Sequence, residues 1–279
     1  MQFGIHLPQI GRKAGPEAIR RAAQQAEALG YDDVWVNDHL VVPADAPYPP
    51  NPSFYEPVVT LTWAAAATRR VRLGTSVLVL PLRHPVHLAK ELATLDLLSG
   101  GRLILGAGVG WLEGEFAALG VPAKERGART DESIEILRRC WHDNPIDYRG
   151  HKVPTQMEMI RALPQPGRRI PIWIGGISRQ AIARAVRLGD GWHAIRLTPE
   201  ELGPIVEDLR RRRPESAFAI SLRLNLDPLL DGVDEVKSKL EGYAALGLDH
   251  MSFEPRQRGL DEWLKAVECS WRLLEPYRG

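Results

Sequence analysis

Short apolar runs alternate with helical stretches along nearly the whole 279-residue sequence, and this alternation restricts the fold more than any other feature. Phe3-Gly4-Ile5-His6-Leu7 reads as the first strand. Ile19, Ala22, Ala23, Ala26 and Leu29 then recur at helical spacing until Gly30 closes the helix. The same succession continues through strands expected at Val34–Val36, Val71–Leu80, Leu103–Leu105, Pro171–Ile174, Gly191–Ile195, Phe218–Leu226 and His250–Glu254. Eight strands, each followed by a helix, predict an α/β chain folded as a (β/α)8 TIM barrel. A doubly wound open sheet competes, but it would need a switch point and fewer strands at this length. No Pro/Gly/Ser linker divides the chain, so one barrel domain over residues 1–279 is expected. Three stretches break the rhythm: a Pro-rich loop from Val41 to Pro57, an irregular segment from Trp111 to Gly127, and an insertion from Asn144 to Arg169. The insertion is expected near the C-terminal mouth of the barrel.

Composition narrows the function. Charged residues make up 25% of the chain and nearly cancel to +1, which gives no footprint for nucleic acid or a membrane surface. Arg210-Arg211-Arg212-Arg213 reads as the solvated end of a helix. Cys140 and Cys269 lie in helical stretches without a CxxC pattern, as small core residues do in a reducing compartment. No basic and then apolar leader opens the chain, and no apolar stretch is long enough to cross a bilayer. A cytoplasmic protein is expected.

Chemistry should gather where barrel strands end. Val34-Trp35-Val36 runs directly into Asn37, Asp38 and His39. A carboxylate and an imidazole at a strand end, before a long loop, suit proton transfer near neutral pH. Gly106-Ala107-Gly108-Val109-Gly110 lacks the acidic partner of a dinucleotide fingerprint; glycines there would let a flat ring approach the backbone. Ile174-Gly175-Gly176-Ile177-Ser178 opens a helix. Its free N–H groups suit a phosphate, and a plain glycine turn with Ser178 as N-cap accounts for it equally well. His84 and His87 have no acidic or thiol companions, so no metal site is expected, and Glu113 and Glu115 lie in an exposed-looking segment with no assigned role.

Together, Val34 to Leu40, Leu73 to Leu78, Leu92 to Arg102, Gly106 to Trp111, Gly127 to Glu132, Ile174-Gly175-Gly176 and Leu188 to Trp192 resemble the bacterial luciferase-like family. The likeness covers nearly the whole chain and is strongest to the branch using the deazaflavin coenzyme F420. It implies that Asp38 and His39 sit beside the deazaflavin ring. It implies a non-proline cis peptide at Ser76-Val77 under the ring, pocket backbone at Val109 and Gly110, and a phosphate cradle at Gly175, Gly176, Ile177 and Ser178. Sugar-phosphate-oxidising relatives carry a tryptophan where this chain has Val42-Pro43 and a glutamate where it has Trp111. Together these departures argue against sugar-phosphate oxidation, and the apolar Trp111 suggests a less polar substrate.

The resulting expectation is an oxidoreductase passing hydride to or from F420, with His39 exchanging the proton and Asp38 orienting His39 or the ring. An FMN-dependent monooxygenase is the enzymatic alternative. A barrel that keeps the ring site without turnover, or that binds a phosphorylated metabolite, is the alternative of another class. The family is often dimeric, and the helices after the second and third strands are apolar enough for a homodimer.

Overall fold

The computed structural model describes residues 1–46, 48, 53–215 and 217–278. Pro47, Pro49, Pro50 and Pro52 of the Pro-rich loop lie outside the described residues. In chain order the strands are β1 (Gln2–His6), β2 (Asp33–Val36), β3 (Arg72–Thr75), β4 (Leu78–Val79) and β5 (Leu103–Gly108). They continue with β6 (Ile146–Arg149), β7 (Gln156–Ile160), β8 (Ile172–Gly175), β9 (Gly191–Ile195), β10 (Ala219–Leu224) and β11 (His250–Phe253). The large sheet runs β3-β2-β1-β11-β10-β9-β8-β5, and β5 pairs back onto β3 through Leu73↔Leu103 and Gly74↔Ile104. Its ladders are parallel, and the result is a closed eight-stranded barrel with surrounding helices. The strand expected over Val71–Leu80 is split into β3 and β4 by a cis Ser76-Val77 peptide.

The helices begin and end where local chemistry directs. Pro16, Pro57, Pro85 and Pro199 each open a helix, where a missing N–H costs nothing. Gly30 and Gly100 close helices in the left-handed conformation. Thr198 and Glu201 form a reciprocal capping box at the start of Pro199–Arg212. The irregular segment holds a short helix, Glu113–Ala118.

The insertion folds as the antiparallel β6–β7 hairpin, which packs on the outer helix Arg126–His142. Glu132 on helix Arg126–His142 fastens it there, accepting hydrogen bonds from the N–H groups of Lys152 and Val153 and from the Tyr148 hydroxyl. One buried carboxylate answering several N–H donors fixes the hairpin to the outer helix.

The largest core mixes aliphatic and aromatic side chains and lies between strands and helices. Inside the barrel, Trp35, Ile104 and Trp173 form the apolar filling. Trp35 is fully buried, and the residues beside it on β1 and β3 give it room. A Cβ on Gly74 would lie 2.3 Å from the Trp35 indole, and one on Gly4 would lie 2.4 Å from Trp35 Nε1. Burying an indole of this size contributes on the order of 4–6 kcal/mol from apolar area alone.

Candidate active site

At the C-terminal strand ends, the Ser76-Val77 bulge organises the backbone. Val77 presses into neighbouring strands at points where only glycine fits. A Cβ on Gly108 would lie 2.3 Å from Val77 Cγ2, and one on Gly175 would lie 2.5 Å from Val77 Cγ1. On Gly106 it would lie 1.8 Å from the Thr75 carbonyl oxygen. Gly106, Gly108 and Gly175 therefore seat the bulge. Gly110, at positive φ, packs against Val79 and Phe116, while Val109 beside it is half-buried at the mouth.

Asp38 and His39 are adjacent in sequence but have different partners. Asp38 accepts two hydrogen bonds from Arg83, at 2.6 and 2.8 Å, and a third from the Val79 N–H at 2.8 Å. Burial alone would weaken Arg83 as a base, but Asp38 and Glu56 beside it reverse that and raise its pKa. Asp38 thus ties the end of β2 to the segment after β4. The expectation that it orients His39 is corrected, because Arg83 occupies both of its oxygens.

His39 is held by Glu115 and Tyr48. Its Nδ1 lies 3.2 Å from Glu115 Oε2 and its Nε2 lies 2.7 Å from the Tyr48 hydroxyl. Glu115 also accepts the N–H groups of Leu40 and Val41. Burial pushes the Glu115 carboxyl up, but these hydrogen bonds outweigh it and hold the group below its ordinary value. A carboxylate only accepts, so Nδ1 of His39 carries a proton, and in the neutral ring Nε2 accepts from Tyr48. Phe54, Tyr48 and Trp111 stand edge-on around the imidazole at 5.0, 5.2 and 6.1 Å between ring centres. Glu115 sits in the segment that sequence reasoning judged exposed, and its side chain is 1% exposed. The alternating charges of Glu113-Gly114-Glu115-Phe116 carry no sign of which carboxylate turns inward.

Opposite lies a polar wall that sequence reasoning also missed. Arg223 donates to the Ser76 carbonyl oxygen at 2.8 Å and pairs with Glu254, which accepts from Asn37 Nδ2 at 3.2 Å. Burial raises the Glu254 carboxyl, yet Arg223 and Asn37 bring it below its ordinary value. Asn37 Oδ1, Arg223 Nε and Asn225 Oδ1 are buried without a hydrogen-bond partner among the described residues. The signal was present: period two from Ala219 puts Ser221 and Arg223 on one face of β10, with Asn225 one residue past its end.

Gly175, Gly176, Ile177 and Ser178 lead into helix Arg179–Leu188. Ser178 is its N-cap and accepts from the Ala181 N–H at 3.2 Å. Gly176 adopts φ +112°, its carbonyl accepts from Trp192 Nε1, and its N–H donates to the His193 carbonyl at 3.4 Å. The first-turn N–H groups of Arg179 and Gln180 have no intrahelical acceptor and form the positive end of the helix dipole. The N-cap and anion-cradle readings are therefore compatible here.

Among the described residues no three His, Cys, Asp or Glu side chains cluster as metal ligands, and no helix is long and apolar enough to cross a membrane. A shallow groove of about 650 Å³ runs outside the barrel between helix Arg126–His142 and the hairpin, lined by Arg138, Glu135 and Tyr148. None of the residues described at the strand ends lines it.

Comparisons with known proteins fit this geometry. The family model for luciferase-like monooxygenases matches residues 1–228. An uncharacterized protein of Mycobacterium tuberculosis is 33% identical over 236 residues, covering 78% of this chain and 80% of that protein. The F420-dependent glucose-6-phosphate dehydrogenase of Amycolatopsis mediterranei is 32% identical over 223 residues, covering 72% of this chain and 62% of that protein. Among solved structures, an F420-dependent secondary alcohol dehydrogenase in complex with an F420-acetone adduct superposes with a TM-score of 0.83 at 18% identity, covering 100% of this chain and 99% of that one. A Pseudomonas putida Baeyer-Villiger monooxygenase component in complex with FMN superposes at 0.78 with 16% identity, covering 99% and 98%. At these identities the superpositions speak for the fold.

Proposed function

The chain belongs to the luciferase-like monooxygenase family, and from that premise we propose that it is an F420-dependent oxidoreductase acting on a small, weakly polar organic substrate. When bound, the deazaflavin supplies the hydride donor or acceptor.

The residues present fit such a ring. The Val77 bulge offers a raised floor. Asn37 Oδ1, Arg223 Nε and Asn225 Oδ1 offer unsatisfied polar atoms for the ring's amide edge. Gly175, Gly176, Ile177 and Ser178, with the helix start behind them, suit the first phosphate. Val109 and Gly110 close the pocket opposite.

One observation carries the reading: His39 is fixed between Glu115 and Tyr48, with a single proton-accepting nitrogen directed at the phenol. Nε2 takes a proton when an alcohol is oxidised and returns it in the reverse direction. Glu115 stabilises the imidazolium that forms, and Tyr48 either passes the proton on or gives way to the substrate hydroxyl. Asp38 works through Arg83 and Val79, holding the strand end that carries His39. Phe54, Tyr48 and Trp111 exclude water from this exchange. Their apolar rims favour a substrate with little charge, in line with the departures at Val42-Pro43 and Trp111. The chain works as a homodimer, paired through the exposed apolar side chains Val59, Trp63 and Leu98 on neighbouring helices.

The test is anaerobic incubation with oxidised F420 and a series of small alcohols, following loss of the oxidised deazaflavin absorbance. Turnover with uncharged alcohols, and none with a sugar phosphate, is the expected result. Turnover confined to sugar phosphates would overturn the substrate class.

A further inference from the structure

The proposed chemistry uses the mouth of the barrel. Beneath it runs a continuous file of polar side chains with no part in that chemistry. Asp33 Oδ1 lies 2.8 Å from His250 Nε2, and His250 Nδ1 lies 2.6 Å from Ser221 Oγ. Ser221 Oγ lies 2.8 Å from His193 Nδ1, and His193 Nε2 lies 2.8 Å from Ser76 Oγ. Exposure along the file is 0, 0, 0, 3 and 5% from Asp33 to Ser76. Barrel interiors are ordinarily filled by branched apolar side chains, so such a file needs an explanation. Trp35 stacks on the His193 ring at 4.9 Å and 9°, which fixes the imidazole plane along it.

The donors can be assigned by counting protons. Asp33 carries Arg72 on its other oxygen at 2.6 Å and can only accept, so His250 Nε2 donates to it. With His250 neutral, its Nδ1 accepts from the Ser221 hydroxyl. That hydroxyl has spent its one proton, so Ser221 Oγ accepts from His193 Nδ1. His193 Nε2 therefore accepts from Ser76, whose hydroxyl proton points into the barrel.

We propose that this file is a proton relay between the mouth of the barrel and a buried store at the His250–Asp33 pair. Its use in turnover rests on the hydride-transfer reading; the relay itself is a property of the protein alone. A proton delivered to Ser76 Oγ at the mouth displaces the Ser76 proton to His193 Nε2. The Nδ1 proton of His193 moves to Ser221, and the Ser221 proton moves to His250 Nδ1. His250 ends as an imidazolium against Asp33, Ser76 ends with its hydroxyl proton directed outward, and no heavy atom has moved. The reverse sequence returns the proton. The groups packed round His250 are Asp33 on β2, His6 on β1 and His193 on β9, with Arg72 behind Asp33 and Arg223 nearer the mouth. Burial first, then the charge His250 carries once protonated and the charge of Arg223, lower the His193 pKa, so that ring passes protons on rather than keeping them.

Nitrogen-15 spectra of histidine-labelled protein without cofactor test this. At neutral pH, His250 should be the Nε2–H tautomer and His193 the Nδ1–H tautomer. On acidification, His250 should gain a proton while His193 switches to Nε2–H in the same step. Ser221→Ala removes the middle hydroxyl with little change in volume and should uncouple the two rings. Asp33→Asn should abolish proton uptake by His250 in the folded range. His193 found as Nε2–H at neutral pH, a His250 that takes no proton before unfolding, or a coupled switch surviving Ser221→Ala would each overturn the relay. None of these readings depends on whether F420 binds.

Discussion

Nδ1 of His39 lies 3.2 Å from the carboxylate of Glu115, a residue 76 positions further along the chain. This contact, rather than the adjacent Asp38, determines which nitrogen of His39 carries the proton. It also explains why Glu115 sits almost fully buried with a carboxyl held below its ordinary pKa: two backbone N–H groups and an imidazole all donate to it.

Replacing His39 by Ala should lower turnover by roughly 10²–10⁴-fold, the usual worth of a positioned acid–base group. Glu115→Gln keeps one acceptor oxygen, for either Nδ1 or the Leu40 N–H, and should lower turnover less, by about tenfold or more, because the charge and one acceptor are lost while the imidazole stays in place. Affinity for the cofactor should change little in either variant, since the proposed ring and phosphate contacts involve other residues. Steady-state kinetics with a good substrate, alongside a binding titration, separate the two effects. Unchanged turnover in His39→Ala would remove that residue from the chemistry.

Stability should fall on the acid side from near neutral pH. Burial comes first in pushing the His6 and His193 imidazoles well below 6.5, helped by the positive charge of Arg223. The unfolded chain protonates both below that value and the folded chain does not, so stability is complete above it and declines as pH drops. The slope reaches up to ~1.4 kcal/mol per pH unit for each ring. Asp33, Glu115 and Glu254 have carboxyls depressed by their partners, although burial opposes this in each. Their contribution is present above the ordinary carboxylate range and lost as pH falls through it. Melting curves recorded between about pH 7.5 and 4 should show a Tm falling from the start of the histidine range, with a shallower slope in His193→Gln. A Tm level down to about pH 5.5 would contradict this.

Gly74 and Trp35 are neighbours across β2 and β3 and should prove energetically coupled. Gly74→Ala drives a methyl into the indole and should cost ~1–3 kcal/mol, as overpacked cores do. Trp35→Phe removes the overlapping ring, so the double variant should lose less than the sum of the single ones. Urea unfolding of the four proteins measures this. Strict additivity would mean that the barrel interior relaxes around the methyl.

How much of this was legible in the sequence depends on distance along the chain. Strand–helix alternation gave the barrel, because period and punctuation are local. Pro16, Pro57, Pro85 and Pro199, with Gly30 and Gly100, marked helix ends for the same reason. Gly106, Gly108 and Gly175 stood out as glycines, but their reason is the bulge after β3, whose Thr75 carbonyl faces Gly106 and whose Val77 side chain faces Gly108 and Gly175. Asp38 was visible at a strand end, yet its partner Arg83 lies beyond the bulge. Glu115 was hidden because a six-residue helix turns it inward after a glycine-rich strand end. The alternation of Ser221, Arg223 and Asn225 was readable, but barrel closure decides which face is the interior.

The helices Pro57–Ala67 and Pro85–Ser99 should form a subunit interface. Val59, Trp63 and Leu98 are 69, 50 and 76% exposed there, an apolar surface unusual for a chain that stays alone in water. Sedimentation should find a dimer, and Trp63→Arg with Leu98→Arg should shift it to monomer while leaving the helical content intact. A monomeric wild-type chain at micromolar concentration would contradict the proposal.

Relative affinity for the two ring cofactors tests the account most directly. The protein should be titrated with oxidised F420 and with FMN under the same conditions, following quenching of ligand fluorescence. Both present a flat tricyclic ring and a phosphate to the Val77 floor and the cradle at Gly175 to Ser178, so binding alone decides little. We predict that F420 binds at least ~10-fold more tightly than FMN, a difference of ~1.4 kcal/mol. Tighter binding of FMN, with oxygen consumed when reduced FMN and a substrate are supplied together, would contradict the account and make this chain a flavin monooxygenase.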